Sequence, residues 1–442
     1  MFKGLVIGFL FILPSLHLNA QLQYATLESV GLDSTYIQTK VDSIMTLAIA
    51  NEAFPGAQLL VAKQGKIIFH QAYGYHTYDS IQKVGLNDLY DLASVTKILG
   101  PLPALMKLYE EGKLDLDKPF SQYWKSWKHR KDKKDITLRE LLAHQSGLQP
   151  YIVFLSDVLK KGKLKSRFVK HGTSRRFSKE AYPHLYVKNR FNHKVYRQIK
   201  RSKVNSKKEY LYSGIASLIY PKLIENLTGE SYPAYLQKNF YGPLGCNTLG
   251  YLPTPKYFSN AFVPTEVDTL FRKDLVKGWV HDENAALLGG ISGNAGLFAT
   301  AKDLAIIMQM YMQKGKYAGR RYFKAETVNE FIKVQYPENH NRRGLGFDKP
   351  LIGNDTLSLK EAYPAPEVSA ESFGHSGFTG TFVWADPKNE MVFIFLSNRV
   401  YPSRSHSNIY NLNIRPALQE VFYKAEELKA ENQQNHNSNT QH

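Results

Sequence analysis

The sequence predicts an α+β fold: an antiparallel sheet flanked by N- and C-terminal helices, with a mostly helical lobe inserted between its strands. Three observations predict it. Two pairs of β-prone runs lie near opposite ends of the chain, at residues 57–63 with 66–73 and at 380–386 with 391–397. Each pair is joined by turn residues, Gln64-Gly65 in the first and Pro387-Lys388-Asn389 in the second, so each reads as a hairpin. Between them the apolar spacing becomes helical, at 96–111, 137–144, 212–227 and 231–241, broken by loops rich in Gly, Pro and Lys. At 442 residues the chain is too long for one ordinary core, which divides it into two lobes.

The elements follow in order. Lys3, the apolar run from Gly4 to Pro14, and Asn19-Ala20 ahead of Gln21 read as a signal peptide over 1–20, too short to cross a bilayer. The expectation is therefore an exported chain, periplasmic or extracellular, without a transmembrane anchor. Residues 34–51 predict an amphipathic helix capped by Ser34, with Tyr36, Val41, Ile44, Met45 and Leu47 as its apolar residues. Thr300 with Asp303 predicts a capping box before a helix at 304–314. A closing helix is expected at 415–429. The division that results is a discontinuous sheet lobe at 21–90 and 285–425, a mostly helical lobe at 91–284, and a polar tail at 426–442. The single Cys246 cannot form a disulfide within the chain and reads as a small buried hydrophobe.

Charge is concentrated rather than spread. Residues 151–210 hold 18 Lys/Arg against 3 Asp/Glu, which accounts for most of the net charge of +18. Such a block is a solvated insertion or a surface for an anionic polymer. Export argues against nucleic acid as a partner and for an anionic envelope polymer.

The strongest chemical signal is Ser94-Val95-Thr96-Lys97 at the start of a helical stretch. Residues three apart on a helix share a face, so the Lys97 amine can reach the Ser94 hydroxyl and take its proton. A helix N-terminus also offers backbone N–H groups to an oxyanion. Tyr212-Ser213-Gly214, expected to open a helix, can present a phenol to a cleft, or simply a core aromatic. His375-Ser376-Gly377 precedes the second hairpin and places a cation, a hydroxyl and a flexible residue at a strand entry, or a plain turn.

These segments resemble the serine β-lactamase and penicillin-binding protein superfamily, in the branch of class C-like enzymes and D-alanyl-D-alanine carboxypeptidases. The resemblance spans about residues 56–423. It includes Gly112-Lys113-Leu114-Asp115, Leu141-Leu142-Ala143-His144-Gln145-Ser146-Gly147, Leu227-Thr228-Gly229, Pro243-Leu244-Gly245, Val280-His281-Asp282-Glu283-Asn284, Ala295-Gly296-Leu297-Phe298 and Gly374-His375-Ser376-Gly377-Phe378-Thr379-Gly380. It implies a β-lactamase/transpeptidase-like fold with Ser94 as nucleophile, Lys97 and Tyr212 jointly as acylation base, and His375 in place of the usual third-motif lysine. Ser376 and Gly377 would complete the substrate strand, and the amides of Ser94 and Phe378 the oxyanion hole. His375 is then expected to make the charge of the site pH-dependent near neutrality. Gly214 stands where the second motif usually ends in Asn, which implies weaker orientation of Lys97 or a shifted substrate class.

Other residues carry less. His144 and His281 read as structural, and no metal or cofactor is expected. Asp282-Glu283 reads as a cap or salt bridge, because neighbours diverge on a helix. The glycine-rich run at 289–294 lacks phosphate-binding spacing. Peptide, ester and β-lactam substrates share all of these motifs. The sequence therefore supports a D-alanyl peptidase-like or esterase-like serine hydrolase, with a β-lactamase, or a binding protein that has lost turnover, as alternatives.

Overall fold

The computed structural model describes residues 21–439, with side chains through Lys429. The signal-peptide segment lies outside the described residues. Six strands form the central sheet: β1 (Gln23–Tyr24), β2 (Gly56–Lys63), β3 (Lys66–Gly74), β4 (Phe373–Ser376), β5 (Phe382–Asp386) and β6 (Met391–Ser397). Their order is β1-β3-β2-β6-β5-β4, with β1 parallel to β3 and every other pair antiparallel. Gln64 and Gly65 both adopt positive φ in the β2–β3 turn, which suits the right-handed twist of a tight hairpin. The N- and C-terminal hairpins meet in the middle of the sheet, where β2 pairs with β6 over Ala57–Lys63 and Met391–Ser397 partners.

Both faces of this sheet are covered, so its central strands are buried along their whole length instead of alternating with solvent. Side chains still alternate between faces. Leu59, Val61, Phe393 and Phe395 pack under helices α1 (Ser34–Ala50) and α8 (Ile414–Asn439), whereas Leu60, Ala62, Val392 and Ile394 face the core of the other lobe. The α1 face is Ile37, Val41, Met45 and Ala48. Tyr36 and Ile44 pack half-buried against the same core, and Leu47 is exposed. The cap is Asp33, whose carboxylate accepts from Tyr36 N at 2.9 Å, and not Ser34. Helix α8 continues to Asn439, through the stretch expected as tail.

The inserted lobe holds α2 (Thr96–Leu99), α3 (Pro101–Glu110), α4 (Leu138–Leu142), α5 (Phe191–Arg201) and α6 (Tyr220–Thr228). The helix expected at 96–111 is broken at Gly100-Pro101, because proline has no N–H to continue the ladder. The freed carbonyls of Ile98 and Leu99 accept from the Tyr311 and Tyr241 hydroxyls at 2.9 and 3.0 Å. A capping box does occur, at Thr137 and Glu140 before α4. The one expected at Thr300 does not form, since that residue makes no side-chain cap bond ahead of α7 (Ala301–Met312). Asp303 is instead turned toward Thr248 N, Thr248 Oγ1 and Leu249 N. The basic segment 151–210 also departs from an all-helical reading. It folds as a three-stranded sheet of Val169–His171, Leu185–Val187 and Lys179–Tyr182 followed by α5. Among the described residues no helix is long and apolar enough to cross a membrane.

Candidate active site

Ser94 lies in a short 3-10 turn, Ala93–Val95, that runs directly into α2. Four hydrogen bonds fix that turn. Asp91, buried, accepts from Ala93 N at 2.8 Å and from His281 N at 2.6 Å. The hydroxyls of Thr379 and Thr381 donate to the carbonyls of Asp91 and Leu92 at 2.7 and 3.0 Å. The loop after β4 is thereby tied to the nucleophile turn, so close that a Cβ on Gly377 would sit 2.6 Å from Leu92 O. Ala93 takes a positive φ of 44°, the kind of backbone strain that a tightly held functional turn sustains.

One helical turn on, Lys97 Nζ donates to Ser94 Oγ at 2.8 Å and to the carbonyl of Asn294 at 3.2 Å. The Tyr212 ring lies 5.5 Å from Lys97 Nζ and 6.1 Å from the His375 ring. Burial alone would push the Tyr212 phenol up. The Lys97 and Arg343 charges, with hydrogen bonds from Ser94 and Lys97, outweigh it and hold the phenol below its ordinary value. Ser94, Tyr212, His375, Ser376, Gly377 and Phe378 line one pocket of about 470 Å³. The structure thus brings every expected site residue together, with Lys97 behind Ser94. Tyr212 differs from expectation in its local setting. It stands in an irregular segment held by Gly214 N donating to Pro150 O at 2.9 Å, and regular helix begins only at α6.

His375 is corrected more substantially. It is 3 % exposed, and burial together with the neighbouring Arg343 and Lys97 charges pushes it down to about 3, so it is neutral near pH 7. Its Nδ1 donates to Ser376 O at 2.7 Å, and its Nε2 accepts from Arg343 Nη2 at 3.4 Å. The fixed cation is Arg343, which sequence reasoning missed. Its guanidinium pairs with Asp348 at 2.9 Å and sits 5.4 Å from the Tyr212 ring centroid. Its only visible signal was Arg342-Arg343 ahead of Gly344-Leu345-Gly346. Asn294 was missed as well, inside the glycine-rich run set aside for lack of phosphate spacing. Its contribution is a backbone carbonyl, which residue type does not advertise.

The remaining expectations find places. His144 packs against Tyr212 with ring centroids 4.4 Å apart and planes tilted by 46°, and accepts from Ser213 N at 3.2 Å. His281 pairs with Glu266 at 2.8 Å, and its ring stacks against Phe378, whose other face carries the Arg399 guanidinium at 4.2 Å. Asp282 caps the 283–287 helix through Ala285 N, and Glu283 pairs with Arg404 at 2.7 Å. Cys246 is buried and free. Among the described residues no group of three or more His, Cys, Asp or Glu could hold a metal ion.

The β-lactamase family model matches residues 37–414. A Salmonella gallinarum protein, provisionally named a D-alanyl-D-alanine carboxypeptidase, is 29% identical over 426 residues, covering 89% of each chain. Among solved structures, EstCE1, a hydrolase with promiscuous acyltransferase activity, superposes with a TM-score of 0.62 at 18% identity, covering 87% of this chain and 98% of its own. A class C β-lactamase gives 0.62 at 17% identity, covering 88% and 99%. These structural likenesses establish the shared α+β fold.

Proposed function

The chain belongs to the β-lactamase family of serine hydrolases, and from that premise we propose that it cleaves amide or ester bonds through an acyl-enzyme on Ser94, as a D-alanyl peptidase or esterase does. The observation that carries the reading is the 2.8 Å contact between Lys97 Nζ and Ser94 Oγ in a pocket shared with Tyr212 and the edge strand β4. Ser94 Oγ attacks the carbonyl carbon while its proton passes to the Tyr212 oxygen as the phenolate, or to Lys97 Nζ as the free amine. The oxyanion that forms accepts from the amides of Ser94 and Phe378. Collapse breaks the bond to the leaving amine or alcohol, which takes the proton back through Tyr212. Water then attacks the Ser94 ester, releasing the acid and restoring the hydroxyl.

Arg343 and Arg415 both line the pocket, and each keeps a buried Nε–H that meets no protein acceptor among the described residues. Two guanidinium cations in the pocket lining suit a substrate bearing a carboxylate, as a D-alanyl peptide does. Turnover of a D-alanyl-D-alanine peptide, a p-nitrophenyl ester and a chromogenic cephalosporin by one preparation tests the reading. Peptide or ester turnover that Ser94→Ala abolishes supports it, cephalosporin turnover alone replaces it with a β-lactamase, and no turnover of any of the three replaces it with a binding protein. On the N-terminal pattern of Lys3, the apolar run and Asn19-Ala20, we also place the mature chain outside the cytoplasm. A secreted chain that begins at Gln21 supports that placement, and one that retains Met1 contradicts it.

A further inference from the structure

A second groove, of about 690 Å³, runs between the basic insertion and the turn at 270–274, apart from the catalytic pocket. Exposed Lys163, Lys170 and Lys273 stand along it, and Asp274 is its only acidic residue. Its walls also offer apolar surface in Pro183 and Leu270, the last 53% exposed. The surrounding charge is almost uncompensated. Among the described residues, the insertion's cations make ion pairs only from Lys194 to Asp157 and from Lys208 to Glu140.

The insertion is rooted beside the catalytic tyrosine. Leu148 bridges to Val204, and the carbonyl of Pro150 accepts from Gly214 N, two residues past Tyr212. Whatever the insertion holds is therefore carried on the same stem that sets Tyr212.

Lysines alone attract any polyanion by unspecific screened attraction. The groove adds concavity and apolar faces between the charges, which fits a polymer whose repeat unit has both a ring face and an anionic group. A membrane surface fits poorly, because Leu270 is the one exposed large hydrophobic residue in the groove lining, and Tyr151 and Val153, exposed elsewhere on the insertion, do not line it. We infer that this groove binds an anionic polysaccharide, with sugar rings against Pro183 and Leu270 and carboxylate groups on Lys163, Lys170 and Lys273.

Titration calorimetry of the full chain with polygalacturonate tests this, with inorganic polyphosphate and phosphatidylglycerol vesicles in parallel. Binding is expected to weaken with salt, and to weaken about tenfold in the triple variant Lys163→Glu, Lys170→Glu, Lys273→Glu. The matched reversal Lys314→Glu, Lys316→Glu, Arg320→Glu, on another face, is expected to leave binding within about twofold, and both variants to keep ester hydrolysis. Leu270→Ser is expected to weaken polygalacturonate and leave polyphosphate unchanged. Equal loss in the two triple variants, an unchanged affinity in Leu270→Ser, or capture of vesicles without the polymer would each overturn the inference.

Discussion

At the scale of single residues, the site is organised around fixed charge. Ser94 and Lys97 were legible because helical spacing is a local property, and three positions suffice to bring the hydroxyl and amine to 2.8 Å. Arg343 and the Asn294 carbonyl were not legible, because Asn294 meets Lys97 across 197 residues of chain and Arg343 meets Tyr212 across 131, and only the fold makes them neighbours. Residue type also misled at His375. A histidine suggests titration near neutrality, but one buried against Arg343 and Lys97 stays neutral. The pH–rate profile of kcat/KM is therefore expected to show no inflection between pH 5 and 8 that His375→Gln removes; an inflection abolished by that change would restore the histidine as the cation. Arg343→Lys keeps a charge but loses the fork that pairs Asp348 and faces His375. Its kcat/KM is expected to fall about 10- to 1000-fold, with the limb of the pH profile that reports Tyr212 shifted to higher pH as the charge is drawn away from the phenol. An unchanged limb would separate Arg343 from Tyr212. Gly214→Asn has open space for its side chain. It is expected to fold normally and to raise acylation by amides, since Lys97 is already held by Asn294 O and the missing bond is the one to substrate; an unaltered acylation rate would remove Gly214 from the account.

At the scale of elements, the strands and the closing helix were readable from hairpin turns and apolar runs, whereas helix ends were not. Caps depend on which acceptor the tertiary fold leaves free, and Asp303 was drawn to Thr248 by packing that local sequence cannot express. The break that Pro101 makes at Gly100 is also held from outside the helix. A Cβ at Gly100 would lie 2.7 and 2.8 Å from the Tyr232 and Tyr251 hydroxyls, so Gly100→Ala must displace one of them. Helix α8 is held to the sheet by Phe422, whose ring packs edge-on against Phe69 and Phe393 with centroids 5.5 and 6.3 Å away. Phe422→Ala is expected to cost about 3–5 kcal/mol in denaturant unfolding, and a loss below about 1 kcal/mol would mean that the helix is not anchored there.

At the scale of the whole molecule, the catalytic pocket is lined in part by buried residues drawn from segments between Ser94 and Pro416, which ties its chemistry to global stability. His144 and His375 are buried and held far below their ordinary value, so unfolding lets each take up a proton once the pH drops below about 6.5. Their contribution to stability is complete above that pH and is lost on acidification, by up to about 1.4 kcal/mol per pH unit for each histidine. The unfolding midpoint is thus expected to fall steadily from pH 6.5 toward 4 and to flatten in the double variant His144→Gln, His375→Gln; an equal acid slope in both would place the loss elsewhere. The two-lobed outline was visible in the alternation of strand and helix signals, but the small sheet in the basic insertion was not, because its strands of three or four residues are shorter than any periodicity can register. The central claim, that the Ser94 hydroxyl becomes an ester during the reaction, is tested most directly by intact-mass spectrometry after brief exposure to a slowly deacylated β-lactam or an activated ester. The expected result is a mass gain of one acyl group, mapped to the Ser94 peptide and lost in Ser94→Ala. A chain that stays unmodified, or an adduct that persists without the Ser94 hydroxyl, would contradict it.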